Sequence, residues 1–387
     1  MWIYLINTLF SCIFFKSADI IYRKNHKNYL YIIFLLLIIV ISSSIAGFRS
    51  DQVGTDVRVY AEPLQQLANY TTNFRDFLNN NLFAVGIEKG YLSLIFLVSR
   101  FTSKLFVSQL LVELIIMSCL IIGIWKFRKI QHIYIYSVIG ILIFYCFFYN
   151  TSFNMIRQSI AMFILFYSFN FLVKREKVKW LICFIIAFLF HTSAVMGLLI
   201  AIIYLLTCDQ NKRINFEFNN GNFGANLSFL RAGIIFLVTS IVIFFPSLLV
   251  GLMHIAKLDL YVNRYLSGAT LQLSISNLMI RLLLLSTLFI EWNSMSKQNN
   301  KLKYFYILIS LIDILLFQLS GYTKRIGWYT SMFYIYSIPD ALENDDNKTR
   351  QITLVTVLSM ALLVYWYFYS VIINYGETVP YVFGNFN

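Results

Sequence analysis

Long apolar runs recur along this chain at about the length a helix needs to cross the hydrocarbon core of a bilayer. Tyr29–Gly47, Val107–Trp125, Ile133–Phe148 and Ala232–Gly251 approach or reach the ~20 helical residues required. Inside lipid no water satisfies the backbone, so such runs are confined to helices whose hydrogen bonds close within the segment. Over 387 residues the chain is 59% hydrophobic and only 13% charged, which excludes an ordinary soluble domain. The net charge of +13 is not a nucleic-acid footprint, because the lysines and arginines sit in short loops between the apolar runs. The five cysteines lie in or beside apolar segments without metal-ligand spacing. The first apolar segment lacks a basic lead and is followed directly by another, so it reads as a span and not as a cleavable signal.

The expectation is an all-α polytopic integral membrane protein forming a single transmembrane domain over residues 1–387. Spans fall near 2–15, 29–47, 107–125, 133–149, 154–173, 179–191, 193–207, 230–251, 276–292, 304–320, 326–340 and 352–373. That makes about eleven, or twelve if the polar step His191-Thr192-Ser193 divides 178–208 into two segments. The short amphipathic stretch 91–104 reads as an interfacial or re-entrant helix inside a large outer loop, 48–106. Loops at 16–28, 126–132, 174–179 and 294–303 carry the basic residues and read as cytoplasmic. With that orientation Arg49, Asp56, Arg58, Glu88, Arg157, His191, Arg264 and Arg325 gather at the outer face, where arginine is expected to be scarce.

Two polar strings interrupt the apolar runs. NMIRQSIA (Asn154–Ala161) opens one of them, and Asn154, Arg157, Gln158 and Ala161 stand at i, i+3, i+4 and i+7, one face of a helix. A full charge held in lipid costs roughly 2.5–3.5 kcal/mol on insertion scales, so Arg157 faces a cavity or an anionic ligand, or snorkels to the interface. The second string, FHTSA (Phe190–Ala194), interrupts the next run and carries the one histidine in a polar membrane break. Gly321-Tyr322-Thr323-Lys324-Arg325 leads into a later span, with Arg325 and Tyr329 at i, i+4. Glu113, Arg281 and Asp313 also lie within or at the start of spans, and an ion pair of Arg281 with either acid is one account of them.

Four strings in fixed order carry a family resemblance: R-x-x-x-x-GTD-x-x-x-Y (Arg49, Gly54, Thr55, Asp56, Tyr60), E-x-GY (Glu88, Gly90, Tyr91), IRQ-x-IA (Ile156–Ala161) and A-x-x-FH-x-SA (Ala187–Ala194). Together they resemble the EpsG-like branch of Wzy-type polysaccharide polymerases over residues ~45–340. The resemblance implies a GT-C-like glycosyltransferase architecture in the bacterial inner membrane. It implies a substrate that is an undecaprenyl-diphosphate-linked oligosaccharide, no cofactor or metal, and membrane lipid, a chain-length regulator and a flippase as partners. The growing glycan would pass from its lipid diphosphate to the non-reducing end of a new lipid-linked repeat at the outer leaflet. An O-antigen ligase would share the donor, and a lipid-linked oligosaccharide flippase would share the arginines, though paired transporter repeats are not evident.

That chemistry needs a grip on a diphosphate leaving group and an acceptor for a hydroxyl proton. Arginine forks match phosphate oxygens and hold their charge. Arg157, Arg325 and Arg49, then Arg58 and Arg264, are the candidates for that grip, with Gln158 and Tyr60 as further substrate contacts. His191, Asp56 and Glu88 are the candidate catalytic groups. Each also has a plainer reading: a loop charge bathed in solvent, or a histidine bonded to a backbone carbonyl.

The orientation has a direct test. A single cysteine in place of Tyr70 should react with a membrane-impermeant thiol reagent in intact spheroplasts, and one in place of Lys177 should not. The opposite pattern would invert the topology.

Overall fold

The computed structural model describes residues 1–79, 86–208, 213–218, 221–226, 233–234, 236–237, 240, 274–297, 301–319, 321–343 and 347–384. Among them the protein is an all-α, multi-pass membrane protein with one two-stranded antiparallel hairpin, Arg213–Phe218 with Gly221–Asn226. The helices in chain order are α1 (Trp2–Lys24), α2 (Leu30–Gly47), α3 (Glu62–Tyr70), α4 (Phe74–Asn79), α5 (Lys89–Ser99), α6 (Leu105–Gln131), α7 (Ser137–Phe144), α8 (Ile156–Val173), α9 (Lys177–Phe190) and α10 (Met196–Thr207). After the hairpin come α11 (Ile275–Ile290), α12 (Trp292–Lys297), α13 (Lys303–Leu316), α14 (Trp328–Ser331), α15 (Tyr334–Glu343) and α16 (Lys348–Trp366). Among the described residues, five helical stretches are long and apolar enough to cross a membrane: Trp2–Lys24, Leu30–Gly47, Leu105–Gln131, Ile156–Val173 and Lys348–Ile372. The expected span at 230–251 lies almost wholly outside the described residues.

The chain divides into two compact units, Met1–Ala194 with Ser359–Asn387, and Val195–Leu358. In the first, α8 is the most enclosed span, packed on α6 and α9, while α2 packs on α1 and α6. Its buried side chains are mostly aromatic and aliphatic, and Asn170 Nδ2 donates to the Gly123 carbonyl of α6 at 3.2 Å. By contrast α9 buries only Ala187 and presents Leu181, Ile182, Ile185, Ile186 and Leu189 outward, as a lipid-facing helix does.

Two expected loops are helical instead. α1 continues through Lys24 where a loop at 16–28 was expected, and α6 continues to Gln131 through most of the expected loop 126–132. The cause is a buried charge cluster. Asp19 pairs with Arg23 one turn on at 2.9 Å and with Arg128 of α6, and the Arg128 guanidinium lies 4.0 Å from the Trp125 ring centre. Paired in this way the charges remain inside the bundle, and both helices extend to meet them. α6 ends at His132 in the left-handed conformation (φ 58), a common helix stop. The expected break after Phe190 is present: His191 is extended (φ −159, ψ 129), and a 3₁₀ turn, Thr192–Val195, leads into α10.

In the second unit the charges at the start of α11 and within α13 form one closed network. Arg281 Nε donates to Asp313 Oδ2 at 2.9 Å, Nη1 to the Asn277 carbonyl (3.2 Å) and Oδ1 (3.1 Å), and Nη2 to Ser331 Oγ (3.2 Å). Asp313 Oδ1 accepts from Thr330 (2.8 Å) and Ser331 (2.6 Å), and both charged side chains are 0% exposed. Of the accounts open to Arg281 and Asp313, the ion pair is the one observed. Removing one member of such a pair strands a buried charge at a cost of about 3–5 kcal/mol. Arg281→Met should therefore sharply lower the thermal midpoint and cellular level of the protein. Combining it with Asp313→Leu should recover much of the loss, measured by melting in detergent.

Candidate functional site

The start of α8 is where the sequence motifs converge. Asn154 precedes the helix and does not belong to it: Met155 has φ −130 and ψ 51, and α8 begins at Ile156. The expected four-residue face therefore lacks its first member. Freed from the helix, the Asn154 side chain accepts from Thr55 N (2.6 Å) and Thr55 Oγ1 (3.0 Å). One residue on, Asp56 Oδ2 accepts from the Ile156 backbone N–H at 3.3 Å. A carboxylate on the first N–H of a helix satisfies an orphan donor and meets the positive end of the helix dipole, together about 1–2 kcal/mol. Gly54 makes this docking possible. Its φ is +96, and a Cβ there would lie 2.7 Å from the Phe153 carbonyl oxygen, so only glycine brings Thr55 and Asp56 this close. The Gly-Thr-Asp string is thus a clasp on the entry to α8.

Tyr60, in a π-helical turn spanning Val57–Ala61, donates its hydroxyl to Asp56 Oδ2 at 2.7 Å. Burial raises the Tyr60 hydroxyl pKa well above the ordinary phenol value, and the neighbouring Asp56 carboxylate adds to the effect, so it remains an O–H donor. Its ring stands 4.8 Å under the Arg157 guanidinium and 5.8 Å, edge-on, from Tyr91.

Arg157 Nη1 is bonded to Glu88 Oε2, while Glu88 Oε1 accepts from Thr192 N (3.1 Å) and Thr192 Oγ1 (3.4 Å). One carboxylate therefore ties α8 to the break after α9. Glu88 reaches both because it stands at the head of α5, whose Gly90 lies against the Leu189 carbonyl; a Cβ there would be 2.5 Å from that oxygen. At the break His191 N donates to the Ala187 carbonyl (3.1 Å), and Ser193 N donates to His191 Nδ1 (3.1 Å). A ring nitrogen that accepts a backbone N–H carries no proton, so the neutral imidazole holds its proton on Nε2.

The candidate residues thus separate. Asp56, Tyr60, Glu88 and Arg157 belong to one linked set, which reaches the residue beside His191 through Thr192. Arg49 is buried nearby: its guanidinium bonds the Ala46 carbonyl and lies 4.3 Å from the Phe153 ring centre. Burial lowers its pKa, with the Glu113 carboxylate acting in the opposite sense. Arg58 is bonded to Glu377. Gln158 is buried within α8. Arg325 lies in the second unit, on the 3₁₀ segment Gly321–Gly327, and Arg264 is outside the described residues.

Sequence reading missed Thr192 and the role of the C-terminal segment. After α16 the chain returns as a strap, with Glu377 O accepting from Gly54 N (3.2 Å) and Val382 O from Ser50 N (2.8 Å). Thr378 joins Tyr4 (2.7 Å) to Asn150 (3.0 Å). No spacing in the sequence signals a pairing across more than three hundred positions. The hydroxyl of Thr192, next to His191 in a polar break, was the one legible hint.

Gly54→Ala places a β-carbon against the Phe153 carbonyl and strains a left-handed backbone, so it should cost about 1–3 kcal/mol and unseat Asp56 from α8. Hydrogen exchange at the Ile156 and Thr55 amides should rise by an order of magnitude or more, while Gly233→Ala, with open space around it, should change neither.

No curated protein and no solved structure matches the chain. Residues 32–383 match the EpsG family, a stretch that takes in all four motif strings and the strap. The chain belongs to the EpsG family.

Proposed function

We propose that this protein is a polysaccharide polymerase of the bacterial inner membrane. In this reading it transfers a growing glycan from undecaprenyl diphosphate to the non-reducing end of a new lipid-linked repeat at the outer leaflet. Family membership supports a polysaccharide-polymerase-like role. The observation that carries the finer reading is the linked set Asp56–Tyr60–Arg157–Glu88–Thr192, next to His191, assembled from four separated segments in a multi-pass membrane protein.

The roles follow from the groups. The acceptor hydroxyl attacks the anomeric carbon, the bond from that carbon to the diphosphate oxygen breaks, and the hydroxyl proton must leave. Arg157 is the grip on the diphosphate. Glu88 occupies Nη1, and the Arg157 side chain is 15% exposed, so part of the guanidinium remains to meet phosphate oxygens. Aimed charge on a developing anion is often the largest catalytic contribution. Asp56 is assigned as the proton acceptor, with Tyr60 as its donor partner. His191, with its proton on Nε2, suits donating a hydrogen bond to a phosphate or sugar oxygen. Glu88 positions Arg157 and the break at Thr192. The chain-length regulator and flippase belong to the same proposal, as proteins that would act on the same lipid-linked repeat.

Cells lacking the protein should carry single-repeat caps in place of long surface glycan. Complete absence of surface glycan would favour a ligase or flippase, and normal length would sink all three. Arg157→Lys keeps the charge and loses the fork, so elongation should fall roughly 10²–10³-fold at normal protein level. Arg175→Gly is the matched control. Arg175 already holds a left-handed backbone (φ 62) that glycine adopts without strain, and glycan length should not change. Asp56→Asn should stop elongation, whereas His191→Gln, which retains a side-chain N–H donor, should keep part of it. The reverse ranking would move the proton-accepting role to His191.

A further inference from the structure

A polar cleft of about 660 Å³ opens in the first unit, lined among others by Arg49, Asp51, Gln52, Glu62, Lys104 and Gln109. That volume lies within the roughly 300–1,000 Å³ usual for small-molecule sites. Its four charged groups are two cations and two carboxylates, so the lining does not select strongly for an anion. Guanidinium, carboxylate and amide groups are planar forks suited to neighbouring hydroxyls.

The floor of the cleft is formed by Arg49 and Gln109, both buried, at 5% and 4% exposed. Asp51, Gln52 and Lys104 are exposed and Glu62 is half-buried, so the polar groups that a ligand would meet there are two carboxylates, an amide and an ammonium. The rim carries Phe106 and Phe383, the latter 63% exposed, offering apolar ring faces beside the polar groups. One wall is the C-terminal strap, where Phe383 pairs with Arg49 and Gly384 N donates to the Phe48 carbonyl at 3.0 Å.

The cleft lies one layer of side chains from the set built on Arg157. Arg49 and Gln109 also border a small void whose far side is Tyr91 and Ile156. Tyr91 packs on Tyr60, and the Ile156 amide is held by Asp56.

We propose that this cleft is a saccharide subsite: it holds neutral sugar rings of the glycan that take no part in bond making. Their hydroxyls would bond Asp51, Gln52, Glu62 and Lys104, and their apolar faces would lie against Phe106 and Phe383. The proposal rests on the polymerase reading for the identity of the saccharide.

The test uses the purified full-length protein in nanodiscs, with an oligosaccharide released by mild acid from the producing cells' own surface polysaccharide as the probe. Binding is read by saturation-transfer NMR and titration. Wild type should bind, and Gln52→Trp, which fills the cleft from an exposed position, should weaken binding by at least about tenfold. Paired Asp51→Asn and Glu62→Gln, which keep the shape, should weaken it similarly. Arg157→Ala should bind as wild type does, and equal melting midpoints show that each variant is folded. No binding by wild type, or unchanged binding by Gln52→Trp, overturns the subsite. Cells lacking the protein separate the two claims. Single-repeat caps there, with no binding by wild type, remove the subsite alone. Full-length glycan there removes the polymerase reading, whatever the cleft binds.

Discussion

The entry to α8 is the constraint on which the first unit depends. A helix that begins inside a packed protein leaves its first N–H groups without partners, and no water is at hand to supply them. Here a carboxylate from a remote turn does so, and Asn154, just outside the helix, holds that turn in return. With Asp56 fixed, Tyr60 is fixed by its hydroxyl, and the Tyr60 ring then supports Arg157 from below. Position passes outward from one backbone amide to the group best suited to meet an anion.

Two arginines in this protein differ in how completely the fold closes around their charge. Arg281 places Nε, Nη1 and Nη2 on four acceptors, and its carboxylate partner is bonded on both oxygens. Such a network is closed, and its interactions keep a charge inside the fold. Arg157 is only part-enclosed, its described acceptors fall on Nη1, and its Nε is unbonded among the described residues. That arginine is set beside the Tyr60 ring and the Glu88 and Asp56 carboxylates. Desolvation makes such a group costly to leave unmatched, and under the proposed function a charged substrate would match it.

Glu88 connects these parts mechanically. Its two oxygens face in different directions, one to α8 and one to the turn after α9, so the Arg157 fork and the Thr192 backbone share a single anchor. Close backbone approach at Gly90 sets the reach of that anchor. The strap after α16 closes the assembly from the other side, touching Gly54 through Glu377 and Ser50 through Val382.

Apolar run length was enough to read a multi-pass helical protein, because a bilayer admits few other structures. The break at His191 was legible for a similar local reason, a polar step inside an apolar run. Local pattern misplaced the ends of α1 and α6, since the pairing of Asp19 with Arg128 that extends them joins residues far apart in the chain. It also counted Asn154 as helical, because i, i+3 spacing cannot register that a side chain is engaged elsewhere. Which arginines stand together was likewise beyond it. Charge and spacing put Arg157 first, then Arg325 and Arg49, and only the packed chain places Arg157 on Glu88 and turns Arg49 toward Phe153 and the cleft beside the strap. Composition and periodicity determine what each segment must bury. Contacts between distant segments determine which polar groups remain to act.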